Sequence, residues 1–526
     1  MKSYYITTPI YYVNDKPHIG HAYTSIASDT LARLHRLRGF DVLCSMGVDE
    51  NSQKNVEAME KMGETDLEVY LERMANEWKK TWDDLGIRYD SFIRTTSPKH
   101  RVAVDLFWDL AKKSGDIYEG TYKGLYCVGC ESFKTESELE NERCPFHPNK
   151  DLQSVEEKNY FFRASAYRET LLSHIQEHPD FVQPESRRNE VVNYIRDHFE
   201  DFSISREAKY VQVGIPVPGD DSQRIYVWFD ALINYLTVAG FGTDDESFKK
   251  WWPANLHLVG KDISKFHCAL WPAMLLSARK QNPNLTLPTR VFAHGFFTTN
   301  GQKISKSLGN AIDPHAIVST YGNDTLRYFL LREITFGEDG DFSERRLKER
   351  YAHDLMNTLG NLVHRVVSMS RKYFENKIPS SLSHEKRYTF ADQFGIDTLR
   401  KEVETQFDAL RFDRVLSAIW GGVNEKFGLF QANQFIDETT PFKLIKEDPD
   451  AVGVILYSLL EYLRCVSWLL LPIMPDTAQK ILEGLGQTGS DPAIGKQELD
   501  AQLRWGGLVP GSELKEPKIL FPRLED

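Results

Sequence analysis

Cysteine is scarce here, with six residues in 526, and this argues against a disulfide-stapled secreted scaffold. The six are also unevenly used. Cys127, Cys130 and Cys144 group with His147, whereas Cys44, Cys268 and Cys465 stand apart in apolar surroundings. That split points to a metal for the cluster and to core packing for the rest. Long apolar runs are missing as well. The longest candidate, Val466 to Ile473, is short and ends at prolines, so no membrane partner is expected. A basic stretch before an apolar core is missing at the start, as is an Arg-rich presequence, so a cytoplasmic protein is expected. Net positive charge is lacking too: the formal charge is −12. This excludes a generic nucleic-acid coat but not a basic stripe that meets phosphates. Arg345, Arg346, Lys348 and Arg350 form one such cluster, with a solvated helix face as the equal alternative.

What is present is a soluble, multidomain composition. Apolar residues make up 41% and charged residues 27%, and the length predicts two to four domains. Residues 3–13 are aromatic and β-branched and predict a strand. After a turn at Asn14-Asp15-Lys16-Pro17, Ile19, Tyr23, Ile26 and Leu34 recur at helical spacing. A second strand, Phe40 to Ser45, leads to Gly47-Val48-Asp49, and more helix is expected from about Glu57 to Leu85. This β-α-β-α opening predicts a doubly wound, Rossmann-like parallel sheet, an α/β catalytic domain. The texture changes between Gly115 and Arg224, where the cysteine cluster lies. Strand and helix signals then return, with a helix expected from Ile263 to Ala278, and beyond Tyr351 only helical periodicity remains. The expected organisation is therefore an α/β domain over 1–115 and 226–300, split by an insertion over 116–225 that carries the cysteine cluster. A loop region follows at 301–355, then an all-α domain at 356–510 and a tail at 511–526.

Three motifs carry chemistry. His18-Ile19-Gly20-His21 falls where the first strand passes into its helix, the carboxyl end of the strand, where such sheets bind ligands. Two imidazoles at a helix N-terminus can donate to phosphate oxygens, and Gly20 permits close backbone approach. Lys303-Ile304-Ser305-Lys306-Ser307 lies on a glycine-flanked loop, suited to clamping an anion. Lys306 there can neutralise charge that develops on a triphosphate. The third motif is Cys127-x2-Cys130 followed by Cys144-x2-His147. Each half is a knuckle offering two ligands, and four ligands with no open position make a structural zinc site, one ion per chain. The alternative is three reduced cysteines and a surface histidine.

The first two motifs together resemble the HIGH and KMSKS pair of class I aminoacyl-tRNA synthetases. Residues 5–14, Gly47-Val48-Asp49-Glu50, Tyr226-Val227-Trp228-Phe229-Asp230-Ala231-Leu232 and Gly260-Lys261-Asp262-Ile263 with Phe266-His267 and Trp271-Pro272 narrow it. They look like the methionyl-tRNA synthetase family, in its branch with one zinc knuckle. The resemblance runs from Tyr5 to Leu520-Phe521-Pro522-Arg523. It implies ATP-dependent activation of methionine and transfer to tRNA(Met), with Mg2+ accompanying ATP. It implies His18, His21, Lys303 and Lys306 as catalytic residues, and Gly20, Gly260, Asp262 and His294 beside the nucleotide. A methionine pocket of Ile10, Tyr12, Trp228, Ala231, Leu232, Tyr235, Ile263, His267, Leu270 and Trp271 is implied, with Asp49 holding the ammonium. A thioether offers shape and polarisability rather than hydrogen bonds, so an aromatic, aliphatic pocket suits it. Asn361, Arg365 and Phe442 match the positions that read the anticodon. Ordinary core packing is the alternative for each pocket aromatic taken singly.

The sequence departs from the family in places. Asn51-Ser52 stands where His-Gly is usual, Val213-Gly214 where Trp-Gly is usual, and Phe442 where a tryptophan is usual. A phenyl ring still stacks on a base, with less area and no N–H donor. The nearest rivals are a synthetase for another apolar amino acid and a HIGH-motif nucleotidylyltransferase. The first carries an added hydrolytic domain, because one methylene yields only ~1–3 kcal/mol of discrimination. The second has no need of a long helical domain. A cysteinyl enzyme would place its zinc ligands in the active site, and a non-catalytic binding protein would not need all four of His18, His21, Lys303 and Lys306. No further tRNA-binding module is seen after the helices, so a monomer is expected.

Overall fold

A computed structural model describes residues 2–128, 132–134, 139–145, 148–299, 302–303, 312–380, 388–487 and 499–524. Its centre is a seven-stranded sheet. The principal strands are β1 (Ser3–Thr7), β2 (Asp41–Asp49), β3 (Ser91–Arg94), β4 (Val182–Gln183), β5 (Leu256–Gly260) and β6 (Val291–His294). They lie side by side as β3-β2-β1-β5-β6-β4, and every pairing is parallel. The order reverses at β1, so β1 and β5 flank the switch point where such sheets bind ligands.

The expected strand over 3–13 is broken in two. Thr8 N still donates to Ser45 O of β2 at 3.1 Å, but Pro9 has no N–H to continue the ladder, and pairing with β2 resumes at Tyr11–Tyr12. The register pairs Tyr12 with Asp49. The second strand runs on to Asp49, past the Ser45 end read from sequence. The helix expected up to Leu85 is present as two helices, Gln53–Lys61 and Leu67–Asp84. The break falls at Gly63, whose φ is +76°, and Asp66 caps the second helix through Val69 N.

Helix α1 (Ile19–Leu37) packs on the sheet and anchors the helical region behind it. Asp29 on α1 accepts from Arg33 at 2.9 Å and from Arg327 at 2.6 Å, all three side chains being buried. Arg327 Nε also donates to Ile473 O at 2.6 Å. One carboxylate thus holds two guanidiniums, which satisfies charges that would be costly to bury alone. One continuous apolar core runs from the sheet into the C-terminal helices.

Apart from β4, which joins the central sheet, the stretch between β3 and β5 forms a four-stranded sheet built on Ile117–Cys127 and Gln153–Phe162, and a separate three-stranded sheet. Beyond Tyr351 the described chain is helical apart from isolated bridges. The 22-residue helix Pro449–Leu470 is long and apolar enough by composition to cross a membrane, contrary to the short runs expected from sequence. Its residues from Ala451 to Leu470 are all buried inside the protein. Cys44, Cys268 and Cys465 are buried as core residues, and burial pushes the thiols of Cys44 and Cys465 up to about 12. The basic cluster sits on the helix Glu344–Arg350 and is ion-paired within the protein. Arg346 and Arg350 meet the buried Glu333, Arg345 meets Glu349, and Lys348 meets Glu344.

Candidate active site

The two histidines of the first motif are held by their own helix. His18 is the N-cap of α1, and its Nδ1 accepts from Gly20 N at 3.1 Å. His21 Nδ1 accepts from His18 N at 3.2 Å, and the two rings stack with centroids 3.8 Å apart. With Nδ1 accepting in both rings, the neutral imidazole carries its proton on Nε2, so each presents an N–H donor at its far edge. Gly20 serves this arrangement directly: a Cβ there would lie 2.9 Å from Cε1 of His18. The glycine therefore makes room for the capping ring itself, a reason sequence reading had not supplied.

Across the switch point, Gly260 ends β5 and Asp262 follows in a short 3-10 turn. A Cβ on Gly260 would stand 2.8 Å from Asp262 Oδ1, so the absent side chain lets the carboxylate fold back. His294 ends β6 and is buried. Its Nδ1 donates to Gly295 O at 2.7 Å, and its Nε2 pairs with Thr24 Oγ1 at 2.7 Å. Both nitrogens are thus used within the protein, and burial lowers its pKa. The lysine loop leaves from the strand Phe297–Thr299, which pairs with Gln302–Lys303 and with Gly340–Asp341. Beyond the loop, Ile312 O accepts from Ile19 N at 3.1 Å, which returns the chain to the start of α1. Lys306 and the rest of residues 304–311 lie outside the described residues, as does the side chain of Lys303.

A second constellation lines up beside the first. Tyr12 and Asp49 face each other in register, and Asp49 is buried at the end of β2. Its Oδ1 accepts from Asn51 N at 3.2 Å and from Thr95 Oγ1 at 3.3 Å. Trp228, Ala231 and Leu232 come from the helix Val227–Leu232, and Tyr235 from the next helix. The expected helix from Ile263 is a 3-10 turn, then a π-helical turn Phe266–Leu270, then α-helix from Trp271. Pro272 lacks the N–H of a regular helix, and π turns of this kind cluster at functional sites. Tyr235 Oη lies 2.7 Å from His267 Nε2, while His267 Nδ1 lies 3.0 Å from Ile263 O. The carbonyl can only accept, so Nδ1 donates and Nε2 receives the tyrosyl proton. Burial drives the pKa of His267 down to about 4, so the ring is neutral at physiological pH. Trp228 stacks flat on Phe266 with centroids 3.9 Å apart.

Some residues here escaped sequence reading. Phe266 was legible as part of a motif but not as the partner of Trp228. His257, buried in β5, touches Thr7 Oγ1 at 2.7 Å and Trp271 Nε1 at 3.4 Å, and nothing in its sequence context sets it apart from an ordinary strand residue. Among the metal candidates, Cys127 and Cys144 are fully buried, while Cys130 and His147 lie outside the described residues. In the helical region, Asn361 lies 3.4 Å from Asn433 Oδ1, and Arg365 donates to Asp437 at 2.6 Å. Phe442 is 46% exposed, just beyond the helix Leu429–Thr439 that carries Asn433 and Asp437.

Comparison with known proteins gives a consistent result. The family described as tRNA synthetases class I (M) matches residues 4–154 and 135–367. The anticodon binding domain of methionyl tRNA ligase matches residues 401–526. The chain is similar to the methionine–tRNA ligase of Thermotoga maritima, at 43% identity over 99% of this chain and 80% of that one. It is also similar to the ligase of Nostoc sp., at 42% over 100% and 98%. Among solved structures it resembles Mycobacterium tuberculosis methionyl-tRNA synthetase in complex with methionyl-adenylate. There the TM-score is 0.91 and the identity 39%, over 99% of this chain and 100% of that one.

Proposed function

The chain belongs to the methionyl-tRNA synthetase family of class I tRNA synthetases, and from that premise we propose how its residues divide the two steps of methionine–tRNA ligation. In the first step an oxygen of the methionine carboxylate attacks the α-phosphorus of ATP. The bond to the bridging oxygen breaks, and pyrophosphate leaves with methionyl-adenylate formed. In the second step a terminal ribose hydroxyl of tRNA(Met) attacks the activated carbonyl carbon and releases AMP. The side chains orient groups and stabilise charge rather than form covalent intermediates.

The observation that supports this best is the convergence of two constellations at one switch point. His18 and His21 present Nε2–H donors to the phosphates, with Lys303 and Lys306 on the returning loop. Gly20, Gly260 and Asp262 border the nucleotide, Asp262 toward the ribose. His294 supports the floor through Thr24. Asp49 takes the ammonium. Ile10, Tyr12, Trp228, Ala231, Leu232, Ile263, Leu270 and Trp271 wall the thioether, with Tyr235 and His267 beside the sulfur. When bound with ATP, Mg2+ supplies charge neutralisation on the phosphates.

Residues 1–115 and 226–300 act as the catalytic domain, 116–225 as the insertion, and 301–355 as the loop and stem-contact region. Residues 356–510 carry the anticodon site of Asn361, Arg365 and Phe442, and 511–526 form the tail. Cys127, Cys130, Cys144 and His147 hold one structural zinc. The buried thiols of Cys127 and Cys144 fit a soft-ligand site closed to solvent. The protein works as a cytoplasmic monomer without a membrane partner. Methionine-dependent pyrophosphate exchange followed by charging of tRNA(Met) tests the two steps separately.

A further inference from the structure

Asp230 is fully buried, and its carboxylate is gripped from two sides by distant parts of the chain. Asn51 Nδ2 donates to one oxygen at 2.7 Å, and His100 Nε2 meets the other at 2.7 Å. Asn51 Nδ2 also reaches Thr95 O at 3.2 Å, and His100 Nδ1 pairs with Thr237 Oγ1 at 2.9 Å. The two grips have different consequences. Asn51 lies two residues after Asp49 and gives its own N–H to Asp49 Oδ1. Asp230 lies between Trp228 and Leu232 on one short helix. The carboxylate therefore ties the segment that ends in Asp49 to the helix that bears Trp228, Ala231 and Leu232.

We propose that Asn51, with His100, is a positioning clamp that sets the length of the methionine pocket. It acts through Asp230 to fix the ammonium end against the thioether end. The clamp rests on the reading of Asp49 and Trp228 given above. It also gives Asn51 a role at a position where the sequence departs from its family: an amide here supplies the donor that Asp230 requires. Removing it leaves a buried carboxylate oxygen short of a partner and frees one end of the pocket to shift.

The test measures pyrophosphate exchange with Asn51→Ala, Asn51→His and His100→Gln, alongside Asp49→Asn. For Asn51→Ala the KM for methionine should rise about tenfold, with the KM for ATP within twofold. The preference for methionine over the one-carbon-longer ethionine should shrink. Asn51→His, which keeps a donor, should restore most of both. Should Asn51→Ala fail to fold, His100→Gln carries the same expectation in a milder form. An unchanged methionine KM, or methionine and ATP KM rising in parallel, overturns the clamp. Asp49→Asn separates the two levels. If it raises the methionine KM while the clamp variants do not, only the clamp fails. If it too leaves the KM unchanged, the reading of the pocket fails.

Discussion

Tyr235 and His267 are joined by a 2.7 Å hydrogen bond in which the phenol donates and the imidazole Nε2 accepts. The direction follows from the other side of the ring, where Nδ1 is committed to Ile263 O. Tyr235→Phe removes the donor and leaves a buried acceptor unpaired, a loss of ~1–3 kcal/mol. Exchange assays should show a methionine KM about tenfold or more above wild type, with ATP little affected. An unchanged methionine KM would remove this pair from the pocket.

The same ring makes stability depend on pH. Burial holds the folded-state pKa of His267 at about 4, below the 6.5 of an exposed ring. Above the higher value the ring is neutral in both states and its contribution is fully present. As pH falls below it, the unfolded chain takes up a proton that the fold refuses, and stability is lost progressively down through the lower value. Melting temperatures between pH 7 and pH 4 should therefore fall less steeply for His267→Gln than for wild type. Parallel curves would contradict the assignment.

Arg365 shows what an ion pair can hide. Its guanidinium meets Asp437 at 2.6 Å, yet Asp437 is mostly exposed and Arg365 partly so. Such a surface pair contributes little to stability, which leaves the guanidinium available to a base edge. Arg365→Ala should leave methionine-dependent exchange intact, because that step needs no tRNA. Charging should drop by an amount equivalent to ~1–3 kcal/mol. Phe442→Ala should behave alike, and Phe442→Trp should retain or improve charging. Exchange and charging falling together with the melting temperature would mark the pair as structural.

Lys306 is assigned to the charge that develops during displacement at the α-phosphorus. One preorganised donor at such a centre contributes about 2.7–4 kcal/mol, so Lys306→Ala should slow adenylate formation roughly 100- to 1000-fold with a smaller effect on ATP binding. Near-normal exchange in this variant would exclude the residue from the step.

Zinc is expected at one ion per chain by elemental analysis. Cys144→Ser should lower that content and raise protease sensitivity within residues 116–225, while residual exchange persists. Metal-free protein of full activity and unaltered stability would rule the site out.

The parallel sheet, the helical C-terminal region and the place of His18 at the start of α1 were legible in the sequence because each rests on local signals: apolar period and a strand-to-helix junction. What escaped rests either on the backbone at single residues or on contacts between segments far apart in sequence. The break after Thr8 follows from the N–H that Pro9 lacks, and the interruption before Leu67 from the backbone at Gly63. The grip of Asn51 and His100 on Asp230 joins residues up to 179 positions apart, and no periodicity records it. Phe266 was visible as a letter in a motif, but its stacking on Trp228, well upstream of the π turn that Phe266 begins, was not.

The most direct test of the account is ATP–pyrophosphate exchange by the purified protein, run in parallel with methionine, isoleucine, valine, leucine and cysteine. The account requires exchange driven by methionine, with the other amino acids weaker by orders of magnitude. Exchange driven preferentially by isoleucine or another of these amino acids, or none with methionine, would contradict it.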